Sequence, residues 1–445
     1  MPASKIFASA LVFAFGVIVS GLATAAEKDD SWGQWRGPLG TGVSLTADPP
    51  LKWGETENIR WKTELPGKGH STPVIWKNRL YLTAAVPFGK PRLPVYDEAP
   101  GSHDNLPVIR SQRFVVLAVD RADGKILWQT PVHETFPHAG GHVSGSLASN
   151  SPVTDGEVIV AFFGSHGLYG LDPSGKILWQ KDLGKMQTKH AHGEGASPVM
   201  HGDLVVVNWD HEAASAIHAF DKRTGEKRWR VARDEKTSWS TPIVVEHGGK
   251  FQVIVSATKR IRSYALKTGE LIWECGGLSN NVVASPIAGN GMVIAGSSYE
   301  KKAMVAIKLE GAAGDITHTD QVVWRTNQRT PYVPSPLLYE DSLYFFNHYQ
   351  GILSCLDPAT GEKRAGPFRL GALSNIYASP VAAAGRIYIT DLDGTTMVLK
   401  HGPEPTPLGV NHLDDVFSAS AAISGKDLYL RGAKFLYGIS EELVN

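Results

Sequence analysis

The sequence predicts an all-β fold: an eight-bladed β-propeller of four-stranded antiparallel blades, its ring closed by an N-terminal strand. Three observations carry this expectation. A strand–turn–strand ending recurs along the chain, a small residue followed by Pro opens each unit, and the last unit lacks a fourth strand that an N-terminal stretch can supply. The 46 Gly and 27 Pro among 445 residues fit many short strands joined by tight turns.

From the N-terminus, residues 1–26 read as a secretory signal peptide. Lys5 gives the positive start, "ALVFAFGVIVSGL" the apolar core, and "ATAA" a small-residue cleavage site near Ala25 or Ala26. No second apolar run of spanning length follows, so the mature chain is expected without a transmembrane segment, in the periplasm or secreted. Residues 27–58 read as an extended segment containing "WGQWRG", Trp32 to Gly37, and residues 59–445 as the propeller. With only Cys275 and Cys355, disulfides are not expected to hold the fold. Lys plus Arg and Asp plus Glu are each 44, which leaves no net electrostatic footprint for nucleic acid or an anionic membrane.

The endings "AVDRADGKILW", "GLDPSGKILW", "AFDKRTGEKRW", "ALKTGELIW" and "CLDPATGEKRA" each place a Gly four residues before the last position: Gly124, Gly175, Gly225, Gly269 and Gly361. A sixth copy is stretched by an insertion before Trp324. Where it is present, as in four of the five, the Asp caps the turn, and the Gly takes its positive-φ position. The terminal indoles are expected to pack on the neighbouring blade with their N–H on a carbonyl. The unit-opening prolines are Pro73, Pro152, Pro198, Pro242, Pro286, Pro336 and Pro380; from Pro152 onward they are 46, 44, 44, 50 and 44 residues apart. An eighth opening has Ala421 in the Pro position, and its unit ends at "FLYGIS"; "NIRWKTELPG", with Trp61, is the expected missing strand.

These endings resemble the tryptophan-docking motif of the PQQ-like (quinoprotein-type) β-propeller repeats, and the single-domain exported organisation is similar to BamB-like members of that family. The resemblance implies structural docking roles for Trp61, Trp128, Trp179, Trp229, Trp273 and Trp324. In true quinoprotein dehydrogenases of the family it implies a calcium ion, a catalytic Asp, and a planar cofactor between a Trp and a disulfide of adjacent cysteines. This chain has no adjacent cysteines, which argues against PQQ.

In a propeller, the loops entering each blade and those between its second and third strands share one face, the mouth of the central channel. That register gathers His142, "HAHGEG" (His190 to Gly195), "DHE" (Asp210 to Glu212) and "RDEKTSW" (Arg233 to Trp239). The candidate ligand-binding residues are therefore His142, His190, His192, Glu194, Asp210, His211, Glu212, Arg233 and Trp239. If a metal ion is held, His190, His192, Glu194 and Asp210 are the expected ligands, the first three sharing one side of an extended chain. The insertion from Val86 to Gln112 is expected to overhang the mouth as a lid, a partner contact or a passive loop. A second insertion, around Leu309 to Gln321, is expected on the opposite face. No complete catalytic set is legible, so the leading expectation is a binding or scaffold protein with a protein, peptide or glycan partner at the mouth. A quinone- or metal-dependent oxidoreductase acting on an extracellular alcohol or sugar, and a BamB-like assembly factor, are the alternatives.

Overall fold

The computed structural model describes residues 31–96 and 99–441. The expected signal peptide lies outside them. Eight antiparallel blades form a ring, from blade 1 (Val74–Trp76, Arg79–Phe88, Ser111–Asp120, Ile126–Thr135) to blade 7 (Val381–Ala383, Arg386–Thr390, Thr395–Lys400, Thr406–His412). Blade 8 is composite: Ala422–Ser424, Asp427–Arg431 and Phe435–Ser440 come from the end of the chain, and Ile59–Glu64 pairs antiparallel with Phe435–Ser440. The expected closure is therefore present.

The second and third strands of a blade are apolar on both faces because both faces meet a neighbouring blade. Ile159–Phe162 and Leu168–Leu171 are buried throughout. Outer strands alternate instead; Lys227–Ala232 is exposed except around Trp229 and Val231. That single inward indole fixes the spacing to the next blade. Five of the six motif indoles sit on the turn glycine of the following blade: Trp61 on Gly124, Trp128 on Gly175, Trp179 on Gly225, Trp229 on Gly269 and Trp324 on Gly361. Each also donates its Nε1–H across the blade boundary, to the carbonyls of Arg121, Pro173, Lys222, Leu266 and Pro358 in turn, at 2.8–3.1 Å. An indole removes roughly 150–250 Å² from water, worth about 4–6 kcal/mol at 25 cal/mol per Å².

Trp273 departs from the expected docking. Its N–H donates to Gln252 Oε1 within its own blade, 3.1 Å away. The reason is the second insertion: where the other blades offer a tight Gly turn, blade 5 sends out a longer excursion whose Gly314–Asp315 adds a parallel fifth strand beside Trp273 and Glu274. Ile316, 1% exposed, fills the space there.

The residues before each unit-opening proline, expected only to be small, are all hydroxylic and form a belt. Backbone N–H groups donate from blade to blade at 2.9–3.0 Å: Thr72 to Ser151 Oγ, Ser151 to Ser197, Ser197 to Thr241, Thr241 to Ser285, Ser285 to Ser335, Ser335 to Ser379, and Ser379 to Ser420. Thr72 Oγ1 donates to the Ser420 carbonyl and closes the circle. Innermost strands cannot pair with one another around the axis, so these hydroxyls satisfy N–H groups that would otherwise be buried without partners.

The segment from Trp32 to Ser44 runs inside the ring. Trp32 exchanges backbone bonds with Ile75 of blade 1, Gly33 O accepts from Thr154 of blade 2, and Gly42 and Ser44 pair with Ala382 of blade 7. Arg36 reaches blade 6, donating to the carbonyls of Ser335 and Pro336 and, within its own segment, to that of Thr41. Burial lowers its pKa to about 9. Gly33 permits the approach, since a Cβ there would stand 2.4 Å from Thr154 O. Residues read from sequence only as an extended segment thus put a floor across the channel.

Candidate functional site

The floor turns the mouth into a cavity of about 1310 Å³, with Trp35 at its base. Both expected loop sets line it, and so does the insertion of blade 1. Asn105–Leu106 of that insertion pairs with Gly141–His142, and Asn105 Nδ2 donates to His190 O at 2.8 Å. The insertion is thereby pinned over blades 1 to 3.

Of the nine expected ligand-binding residues, His142, His190, His192, Glu194 and Trp239 line the cavity. Of the other four, Asp210, His211 and Arg233 are buried and Glu212 is half-buried, and all four are committed to neighbouring loops. Asp210 and Arg233 form an enclosed pair, Arg233 Nε to Asp210 Oδ1 at 2.7 Å and Nη2 to Oδ2 at 3.1 Å, with both side chains 0% exposed. Ser238 Oγ also donates to Asp210, and Arg233 Nη1 donates to Tyr264 Oη. This ties the loop within blade 3 to the one entering blade 4. His211 Nδ1 accepts from Gln187 N–H at 3.2 Å, leaving Nε2 to donate to Ala214 O at 3.3 Å. Glu212 Oε1 accepts both the N–H and the hydroxyl of Thr237. These four residues order loops.

The expected metal set is not assembled either. His190 is not in extended chain; it sits at φ 55° in a short 3-10 turn, Lys189–Ala191. Glu194 points away from the histidines and accepts from Ser165 N at 2.6 Å and Ser165 Oγ at 2.5 Å. Enclosure of its carboxyl group raises its pKa to about 7, against those two bonds. Asp210 is held by Arg233. Among the described residues, no group of three or more His, Cys, Asp or Glu is placed to hold a metal ion. Trp239 donates its Nε1–H to Gly193 O at 2.7 Å, bracing the "HGEG" loop against the next blade.

What does assemble is a group of imidazoles on one side of the mouth. His103, from the insertion, joins His142, His190 and His192, with ring centroids 4.7–6.4 Å apart. The repeat register missed His103 because it belongs to no repeat; the turn residues around it, Gly101 and Asp104, were the available signal. His192 is driven down to about 4 by burial and then by His142, His103 and His190, so it is neutral at ordinary pH.

Across the ring, blades 5 to 7 contribute a tyrosine shelf. Tyr299 stacks on Tyr332 (5.5 Å, 16°) and Tyr349 on Tyr377 (5.7 Å, 19°), the two pairs joining through Tyr332 and Tyr349 at 6.4 Å. All four lie on loops that enter a blade or join its second and third strands, the two sets that share the mouth. Burial raises Tyr332 to about 12, so it remains a donor. Leu93 and Tyr96 of the insertion, 87% and 61% exposed, and Val143 of the loop paired with it, 56% exposed, form an apolar rim beside the mouth.

Comparison with known proteins agrees with this geometry. The family model described as outer membrane protein assembly factor BamB matches residues 51–213 and 213–402. The crystal structure of BamB from Moraxella catarrhalis aligns with a TM-score of 0.51 at 15% identity, covering 82% of this chain and 98% of that one. Quinohemoprotein alcohol dehydrogenase from Comamonas testosteroni aligns with a TM-score of 0.62 at 11% identity, covering 92% and 80%. The computationally designed Ika8 protein gives 0.51 at 12%, covering 90% and 99%. At these identities the likeness is one of fold. No curated protein sequence matches the chain.

Proposed function

Because the chain belongs to the PQQ-like β-propeller family, in which one fold serves both assembly factors and dehydrogenases, we propose that it is an exported binding or scaffold protein working through the mouth of its channel. The observation that carries this reading is the floored cavity of about 1310 Å³ with the tyrosine shelf on one wall. Rigid aromatic faces with polar tips give contact area at little entropic cost, whether the ligand is a peptide or a sugar. The exposed apolar rim of Leu93, Tyr96 and Val143 favours a polypeptide partner, since such patches mark protein contacts. It also supports the BamB-like assembly reading over the oxidoreductase one. Export rests on the leader-like first residues; among the described residues no helix is long and apolar enough to cross a membrane.

A quinone-dependent reaction draws less support. Cys275 and Cys355 are free, fully buried and in different blades, so they supply no disulfide face opposite Trp239. The indole of Trp239 is itself committed to Gly193. The residues present do not fit the quinone sandwich that the resemblance implies.

The test is site-specific photocrosslinking in the protein's own host, with a photoreactive phenylalanine at Tyr332 or Tyr349. Discrete adducts are expected, their mass giving polypeptide or glycan. The same probe at Asp123, on the Asp/Gly-turn face, should give none. Equal adducts from both faces, or none from the mouth, overturn the reading.

A further inference from the structure

We propose that His103, His190 and His192 bind one divalent ion of the zinc or copper type at the mouth. The inference goes beyond the binding role above and stands without it.

The first argument is spacing. Imidazoles on one ion at about 2.0–2.1 Å, in tetrahedral arrangement, have ring centroids roughly 5 Å apart. Here His103–His192 is 4.7 Å, His190–His192 5.4 Å and His103–His190 5.5 Å, a near-regular triangle. His142 lies 4.8 Å from His192 at its edge. Four imidazoles seldom gather without a reason, since each is a base and any charge on one repels the others.

The second argument is orientation. His103 Nδ1 lies 2.8 Å from Gly101 O and His190 Nδ1 2.8 Å from Pro100 O. A carbonyl only accepts, so in both rings Nδ1 carries the hydrogen and Nε2 holds the lone pair. Such outer bonds are how ligating histidines are held. His142 differs: its Nδ1 accepts the Ser144 backbone N–H at 3.2 Å, which leaves the hydrogen on Nε2, so it stands beside the three ligands and is not one of them.

The third argument is an orphan. His192 Nε2 is buried, without any hydrogen-bond partner. A buried polar nitrogen left unmatched is costly, and coordination to an ion removes that cost. As the structure stands the donors do not complete a metal-binding group. His103 and Gly101 lie on the same exposed stretch of the insertion, so the shift that brings the donors together falls on that loop, carries the Gly101 bond with it and moves no blade. The donor set is all imidazole, since Glu194 and Asp210 are committed to Ser165 and Arg233. Imidazole nitrogen suits zinc or copper; calcium and magnesium require oxygen.

The experiment uses the full mature protein, stripped with chelator and dialysed, titrated at pH 7.5 with zinc by calorimetry and with copper(II) by electron paramagnetic resonance. One equivalent of zinc is expected, and for copper, hyperfine splitting from three nitrogens. His103→Ala and His192→Ala should each weaken zinc binding by at least about 100-fold, the upper end of what loss of an outer-shell partner costs. His103 is exposed, so its variant keeps the fold, which circular dichroism checks. His201→Ala, on blade 3 against Phe251, should leave binding unchanged. No saturable site, or an equivalent of zinc that survives both His103→Ala and His192→Ala, overturns the proposal.

Discussion

Cutting one link of the hydroxyl belt, with Ser285→Ala, tests whether the ring is held at its centre as well as at its Trp-bearing rim. Ser285 is 2% exposed, and its Oγ accepts the Thr241 N–H at 2.9 Å. The substitution leaves that donor, in a residue 5% exposed, without an acceptor. The backbone N–H of Ser285 still reaches Ser335 Oγ, so a single bond is removed. An orphaned buried donor costs about 1–3 kcal/mol, against about 1 kcal/mol for the net worth of an ordinary hydrogen bond. The expected loss is therefore about 2 kcal/mol, read as a lower urea midpoint at unchanged m in coincident fluorescence and circular dichroism transitions. Thr241 Oγ1 already accepts the Ser197 N–H in this way, so Ser285→Thr keeps the acceptor and should stay within about 0.5 kcal/mol of the parent. Parent-like stability in Ser285→Ala would refute the argument: water from the mouth would then be satisfying Thr241, and the belt would not hold the ring.

Two further outcomes follow from the same structure. Gly225→Ala should destabilise more than Gly202→Ala. Both glycines are in blade 3 at φ +66° and +58°, but only at Gly225 would the new methyl stand 2.6 Å from the Trp179 indole, whereas Gly202 faces open space; equal melting temperatures would remove the docking argument. Acidification should also unfold the protein through neutral buried histidines. Burial first, then neighbouring cations, lowers His70 to about 4, His166 to about 3 and His218 to about 4, Arg230 and Lys227 being the cations beside His218. The unfolded chain takes up these protons near pH 6.5, so the stability they contribute is full above that pH and is lost as the pH falls towards 4. For His218, 8% exposed, the loss amounts to roughly 3 kcal/mol at the acid end. His218→Gln should flatten the fall of the urea midpoint between pH 7 and 4.5; an unchanged slope counts against this.

The ring was legible because a blade is a repeated solution to one packing problem, so Pro, Gly and Trp return at fixed intervals. The closing strand with Trp61 was legible for the same reason, as the missing fourth member of a set. Where an insertion replaced the tight turn, the prediction failed at Trp273, because an indole docks on what the next blade offers. The register also placed His142, His190 and His192 correctly at the mouth, but could not say which way a side chain turns. Asp210 and Arg233 lie on mouth loops by sequence and still face inward, each having found the other. Trp32 and Arg36 carry no repeat signature, so their place inside the ring was invisible. The belt left a signal that went unused: eight positions read as small were eight hydroxyls.

The composite eighth blade and the channel floor also set an order of assembly. Synthesis delivers Gly42, Ser44 and Trp61 early, yet their partners, Ala382 and the strand Phe435–Ser440, leave the ribosome much later. Throughout elongation the head of the chain has nothing to close on, and each finished blade exposes an unpaired flank to whatever else is nearby. Such distant pairings are slow to form. The proposed export would gain from this arrangement, because the ring cannot lock shut until the strand Phe435–Ser440 arrives.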